Sequence, residues 1–300
     1  MDITRSIRGS AMSKSNTTRL AIGLIIGSIL IYSVWHLNSG RNRDETTGEE
    51  DVNELFAEKL PAHLKNVGTL YVIPGGGSGA GVDNVKNHYP EWTRRRVSAA
   101  YEHSKHDAGN RKEPLFLALS AGSLNTPNSA HEDGRIKFEC QHMIEHLVVL
   151  GVPRYAILGD FMSWDTITNA LYLRMVINGV KVAQNKNLRN KKMKIEVFIS
   201  DFHAERVQAA FTWVLGLRPS LLPYIDLTIN TVSSEGIIWP NEDTFKSRIE
   251  HEAKGVAQIK ANEKMVKSVQ ELHAFLLLGL HQGFFNYMHH QLPGKTGGGW

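Results

Sequence analysis

The chain is poor in cysteine: Cys140 is the only one in 300 residues. A lone thiol excludes an internal disulfide framework. That fits a reducing compartment without demanding one. Beyond the first 43 residues the chain also lacks net positive charge. Arg5, Arg8, Lys14, Arg19, Arg41 and Arg43 against Asp2 give residues 1–43 a net +5, while the whole chain is only +4. The pI near 9.0 is therefore a property of the N-terminal stretch. The body sums to about −1 and has no broad basic surface with which to hold nucleic acid.

Charge is missing altogether from Leu20 to Leu37, LAIGLIIGSILIYSVWHL. Eighteen uncharged residues at ~1.5 Å each span about 27 Å, close to the hydrocarbon thickness of a bilayer. Tyr32 and Trp35 sit near its end, where aromatic rings favour the interface. Basic residues dominate before the run, and Asp44, Glu45, Glu49 and Glu50 follow it. The expected arrangement is a cytosolic segment over 1–19, a membrane anchor over 20–37 that contacts the lipid bilayer, a polar linker over 38–53, and a translocated body. The body would be lumenal or extracytoplasmic. Trp35-His36-Leu37 makes a poor cleavage site for a removable signal. A mitochondrial presequence is an alternative for the Arg- and Ser-containing start, so the organelle stays open.

Past the linker, short apolar runs alternate with amphipathic ones. The candidate strands are Thr69–Ile73, Leu115–Leu119, Tyr155–Leu158, Ile195–Ser200 and Ile225–Thr231. The candidate helices are Glu91–His106, Ile136–Leu150, Thr166–Asn178 and Ala204–Leu215. Near-continuous apolar strands separated by helices predict parallel βαβ units with both sheet faces covered. The expected class is α/β, a Rossmann-like three-layer sandwich with a mainly parallel sheet, over residues 54–240. Residues 241–300 read as a helical extension packed against the sheet edge. Membrane contact by Phe275–Phe285 is the other reading of its apolar end, although that run is too short to span. Lys181–Lys194, basic and Asn-rich, reads as a solvated loop.

Several sequence signatures fail for want of context. Tyr71–Gly81, YVIPGGGSGAG, fits G-x-G-x-x-A formally. No helix opens at the loop and no acidic residue closes a second strand about twenty residues on, so a dinucleotide fingerprint is not supported. A Walker A lysine is missing too. What remains is a glycine-rich strand end whose backbone N–H groups suit an anion. His142-Met143-Ile144-Glu145-His146 spells H-x-x-E-H, an inverted zinc-protease motif. In a chain with 14 histidines five-residue matches arise by chance, and no third ligand offers itself. An amphipathic helix with polar residues at its edge accounts for it.

Polar residues collect where ligands bind in open α/β sheets, beyond the carboxyl ends of strands. Ser120-Ala121-Gly122 ends the second strand. Asp160, Ser163, Asp165, Thr166 and Asn169 follow the third. Ser200, Asp201, His203 and Arg206 follow the fourth. Asp165-Thr166 and Asp201 could also be helix caps. The clustering of carboxylate, hydroxyl, imidazole and guanidinium on one edge predicts a ligand site.

The order of these motifs resembles the YdcF/SanA/ElyC-like family. The order runs from a GGG strand end through an Arg-bearing helix and S-A-G to Glu139 before Met143 and then Gly151-Val152-Pro153. D-F-M-S-W-D-T-I-T-N-A and I-S-D-F-H-A-E-R complete it. The likeness covers about residues 69–217. Carried over residue by residue, it implies site positions at Gly75, Gly76, Gly77, one of Arg94 or Arg95, Ser120, Gly122, Glu139, Asp160, Thr166, Asn169, His203 and Arg206. The sequence departs from the family pattern at Ala121, at Cys140, and at Asp160, where a glutamate is usual. Leu124–Arg135 and everything after about Pro219 lie outside the pattern. The resemblance implies a loose tie to envelope and surface-polysaccharide integrity, and binding of S-adenosylmethionine or a nucleotide has been suggested for the fold.

Together these readings predict a membrane-tethered enzyme acting on a phosphorylated small molecule or lipid-linked sugar, by hydrolysis or group transfer. Arg206 and Arg94 or Arg95 would clamp phosphate with the Gly75–Gly77 amides. His203 would be the general acid or base, with Asp160 or Glu139 orienting it or activating water. Ser120 lacks a G-x-S-x-G elbow. A metal on Asp160, Glu139 and His203 is an alternative, and no cofactor is specified. The competing reading is a non-catalytic domain that binds a nucleotide-like ligand at a membrane.

Overall fold

A computed structural model describes residues 64, 66–76, 89–107, 114–123, 128–130, 135–184, 191–239 and 242–277. The expected anchor at 20–37, the linker, Gly77 and the chain after 277 lie outside them. Among the described residues no helix is long and apolar enough to cross a membrane.

The elements run Thr69–Ile73 (β1), Glu91–Asp107 (α1), Leu115–Ala118 (β2), Ser129–Ala130 (β3), Ile136–Lys137 (β4), Glu139–Val149 (α2) and Ile157–Gly159 (β5). Thr166–Ala183 (α3), Met193–Ser200 (β6), Asp201–Gly216 (α4), Ile225–Val232 (β7), Glu242–Met265 (α5) and Val269–Phe275 (α6) follow. Five strands form one sheet in the order β5-β2-β1-β6-β7, and every neighbouring pair is parallel. β3 and β4 pair antiparallel as a separate two-residue ribbon. The chain winds outward from β1 to β5, then returns through α3 to lay β6 on the other side of β1. This is a Rossmann-like α/β sheet whose strand order reverses between β1 and β6, the position at whose carboxyl edge ligands bind in open sheets of this kind.

Period-two alternation explains the two-sided core. Leu70 and Val72 of β1, with Leu115, Leu117, Ile195 and Val197, face one layer. There they meet Leu173 and Ile177 of α3, Val207, Phe211 and Val214 of α4, Ile259 of α5 and Leu272 of α6. Tyr71 and Ile73, with Phe116, Ala118 and Phe198, face the other layer and meet Val97 and Ala100 of α1 and Cys140, Met143 and Leu147 of α2. Each fully buried aliphatic side chain contributes roughly 1.5–3 kcal/mol. The C-terminal helices therefore belong to the same core as the sheet.

Some boundaries differ from the sequence reading for local reasons. The helix expected from Ile136 begins at Glu139, because Ile136 and Lys137 are taken by the β3–β4 ribbon. Phe138 is extended, and its N–H donates to the Gln141 side chain at 2.8 Å. The fourth helix starts at Asp201, directly on the end of β6, with no intervening loop. That abrupt strand-to-helix change places His203 in the first helical turn at the carboxyl edge of the sheet.

Candidate active site

Arg96 sits at the centre of the reversal point and is fully buried. It rises from α1, three residues after the buried Thr93, on the face that carries Val97 and Ala100 inward. Its Nε donates to Ser200 Oγ at 2.9 Å, and its Nη1 donates to the carbonyls of Pro74 (3.1 Å) and Gly75 (3.2 Å). One guanidinium thus ties the ends of β1 and β6 together. Nη2 is buried and has no hydrogen-bond partner among the described residues. Burial, and then the charge of Arg248, pull Arg96 down to about 9. It remains a cation at neutral pH.

The sequence reading assigned this role to Arg94 or Arg95. Those two point elsewhere. Arg94 is over half exposed and pairs with Glu91 at 3.5 Å. Arg95 donates to the carbonyl of Glu235 at 2.6 Å, holding the loop after β7.

His203 and Glu252 form the second half of the site. Both are at least nine-tenths buried. Glu252 Oε2 lies 2.5 Å from His203 Nδ1 and 3.5 Å from Arg206 Nη1, and Oε1 lies 2.8 Å from Arg248 Nε. Burial pushes His203 down to about 4, against the pull of Glu252. Glu252 falls to about 2: burial alone would raise it, but His203, Arg248 and Arg206 outweigh that. The pair at pH 7 is therefore a neutral imidazole on an ionised carboxylate. A carboxylate only accepts, so Nδ1 carries the proton and Nε2 presents its lone pair. Gly255, one turn beyond Glu252, lets Arg206 lie flat on α5. A Cβ there would meet Arg206 Nε at 2.7 Å.

Arg96 and Arg248 share one ring. Their guanidinium carbons stand 6.0 and 5.5 Å from the centroid of Phe202. The charge of Arg248 works against the Arg96 cation, and Glu252 and Glu139 act in the opposite direction.

The remaining predicted residues gather on the β2–β5 side. Gly75 packs directly on Ser120 and the Glu139 carboxylate, and any side chain there would collide with both. Gly76 lies against Thr93 and Trp92, whose indole N–H donates to the Gly76 carbonyl at 3.0 Å. With the Pro74 and Gly75 carbonyls turned to Arg96, planarity turns the Gly75 and Gly76 N–H groups the opposite way. Ser120 has φ +95°, a costly conformation for a non-glycine residue. Asp160 holds it there. Its carboxylate accepts from the N–H groups of Ser120 (3.2 Å), Met162 (2.9 Å) and Ser163 (3.0 Å) and from the Ser163 hydroxyl. Ser163 also reaches Asn169, and the Ser120 hydroxyl donates to the Gly122 carbonyl at 2.9 Å. Asp165 is a true N-cap for α3, accepting from Thr168 N–H at 2.7 Å, and Thr166 is buried at the first turn beside Asn169.

Chemically, the two sides differ. Asp160 has both oxygens engaged in fixing loops, and the N–H after Ser120 is spent on the Ser163 carbonyl at 2.8 Å. The Ala121 N–H is therefore not free to act as an oxyanion donor beside the Ser120 hydroxyl. The reactive capacity lies with Arg96, His203, Arg248 and Glu252. Among the described residues, no group of three His, Cys, Asp or Glu side chains is placed to hold a metal. The H-x-x-E-H residues are otherwise engaged. His142 stacks on Tyr89, His146 Nδ1 meets the Tyr89 hydroxyl at 3.3 Å, and Glu145 pairs with Lys137 at 2.7 Å.

No family model, curated protein or solved structure matches the chain. The likeness to the YdcF/SanA/ElyC-like family thus rests on its motifs.

Sequence reasoning missed Arg96, Arg248 and Glu252. The signal for Glu252 was legible: it shares a helical stripe with Val256, Ile259 and Asn262, all buried. An acid on the apolar stripe of a helix requires a buried partner.

Proposed function

We propose that this chain is a hydrolase or group transferase for phosphorylated substrates, with the substrate phosphate bound between Arg96 and Arg248. The observation that carries the reading is the fully buried Arg96 with an unpartnered Nη2, which shares the Phe202 ring with the Arg248 guanidinium. A buried guanidinium N–H left without a partner is costly, whereas an anion at Arg96 Nη2 gains a charge-assisted hydrogen bond.

His203 acts as the base. Its Nε2 takes a proton from water or an acceptor hydroxyl as that oxygen bonds to phosphorus. The bond from phosphorus to the leaving oxygen breaks, that oxygen keeps the electron pair, and the imidazolium then returns the proton to it. Glu252 fixes the ring and stabilises the transient imidazolium, and Arg96 and Arg248 neutralise charge on the phosphoryl oxygens. Asp160 and Ser120 shape the neighbouring loop. We further propose that residues 20–37 hold this site at a bilayer, on the strength of their uncharged length. A place in envelope or glycan chemistry is supported by the motif likeness alone.

The test uses the full chain in detergent. Binding of inorganic phosphate is measured by calorimetry, and phosphate release is followed over a panel of phosphomonoesters and phosphoanhydrides. Arg96→Met is expected to abolish phosphate binding, and His203→Ala to keep binding while losing turnover. If both variants bind phosphate and the wild type turns nothing over, a non-catalytic ligand-binding domain is the better description.

A further inference from the structure

Four aromatic rings outside both core clusters stand next to the arginine pair. Trp92 of α1 stacks on Trp239 at 5.1 Å and 7°, Phe202 of α4 meets both edge-on at 6.3 and 5.6 Å, and Phe245 of α5 lies 4.9 Å from Trp239. All four are half-buried. They are not needed to close the sheet, since neither hydrophobic core includes any of them. Phe202 joins this cluster to the cations, because the ring that touches both indoles also has Arg96 and Arg248 at 6.0 and 5.5 Å from its centroid. A phosphate on the guanidinium groups would therefore have an aromatic wall within one ring's reach.

We propose that the substrate phosphate is attached to a broad-faced ring, and that the outward face of the Trp92–Trp239 stack holds that ring. The proposal rests on the phosphate site described above and names its substrate class. A pyranose offers C–H bonds to an indole face and a nucleobase offers its π-face. The shared chemistry is a ring with a broad face of C–H bonds or π electrons, joined to phosphate directly in a sugar phosphate and through a ribose in a nucleotide. A polyprenyl monophosphate without a sugar offers no such face. The wall is also fixed in place independently of ligand. Arg95 holds the Glu235 carbonyl, and Asp201 accepts from Ser234 N–H at 3.0 Å, so the segment that carries Trp239 is tied to α1 and α4.

The experiment titrates the full chain with inorganic phosphate, glucose 1-phosphate, uridine diphosphate and a short polyprenyl phosphate. Wild type and Trp239→Leu are compared by calorimetry and melting temperature. One of the ring compounds is expected to bind roughly 5- to 100-fold more tightly than inorganic phosphate, the range one stacked ring contributes. Trp239→Leu should remove that advantage and leave inorganic phosphate within about twofold. Which compound loses affinity separates sugar from base. Should Trp239→Leu fold poorly, Trp239→Phe is read instead, with part of the advantage retained. An unchanged ratio in a folded variant, or no advantage for either ring compound, overturns the proposal and leaves the phosphate site standing. If inorganic phosphate fails to bind the wild type, the phosphate site falls and the ring wall with it.

Discussion

Replacing Glu252 by Gln removes one charge and keeps the side chain's length and an acceptor oxygen. The wild-type carboxylate meets three cationic or polar partners at 2.5, 2.8 and 3.5 Å in a site that is almost completely buried. Removing one partner from a buried ion pair costs about 3–5 kcal/mol. The glutamine oxygen still accepts from His203 Nδ1, so we expect the loss to be about 2–4 kcal/mol. For a body of this size that lowers the melting temperature by roughly 5–15 °C. The pH profile separates this from a packing defect. Glu252 titrates near 2 in the folded chain against 4.5 when free. Its contribution is fully present above pH 4.5 and fades as the pH falls toward 2. Melting curves of wild type and Glu252→Gln should therefore lie furthest apart at neutral pH and converge below pH 4.5. The assay is differential scanning calorimetry or urea unfolding across pH 3–8. A variant that melts with the wild type at pH 7, or a gap that stays constant into acid, refutes the account of a charged Glu252.

Four further outcomes follow from the same geometry. His203 is held neutral by burial, near 4 against 6.5, so stability should fall as the pH drops from 6.5 toward 4, because the unfolded chain takes up that proton first; His203→Gln should flatten this part of the urea-unfolding profile. Asp160→Asn must offer an amide N–H₂ to donors that now meet carboxylate oxygens, and should cost about 2–3 kcal/mol in urea unfolding; an unaffected variant would remove Asp160 from its role as a loop staple. Ser120→Gly releases the strain at φ +95° while losing one hydrogen bond, so stability should change by less than about 1 kcal/mol and phosphate release should survive, whereas lost turnover would make Ser120 the nucleophile after all. Gly255→Ala adds helix propensity but displaces Arg206, so we expect a folded chain with a melting temperature near wild type, and Arg206 made accessible to a guanidine-selective reagent.

The sheet was readable because its strands are short and apolar and its helices amphipathic. All five sheet strands fall within two residues of their expected positions at the carboxyl end, the end that matters for the site. The clustering of polar residues on that edge was also legible. What the pattern could not rank was which arginine of Arg94-Arg95-Arg96 turns inward. Three adjacent positions on a helix point 100° apart, and only the spacing to Thr93, Val97 and Ala100 marks Arg96 as the inward one. Asp160 looked catalytic because carboxylates at strand ends often are. Its engagement by the N–H groups of Ser120, Met162 and Ser163 depends on loop conformations that no periodicity encodes. Glu252 was missed because it lies beyond the motif-bearing segment, although its helical register points inward.

The position of α5 has a bearing on how the protein is made. His203 and Arg206 leave the ribosome well before Glu252, and until the last helices arrive the α4 face carrying Val207, Phe211 and Val214 has only part of its cover. A chain interrupted near residue 240 would complete the sheet and hold a half-built site, with an apolar face open to solvent. The final helices therefore act as a check on completeness. A nascent chain that stops short exposes the kind of surface that chaperones and proteases recognise, and only the full-length one buries it while assembling its base.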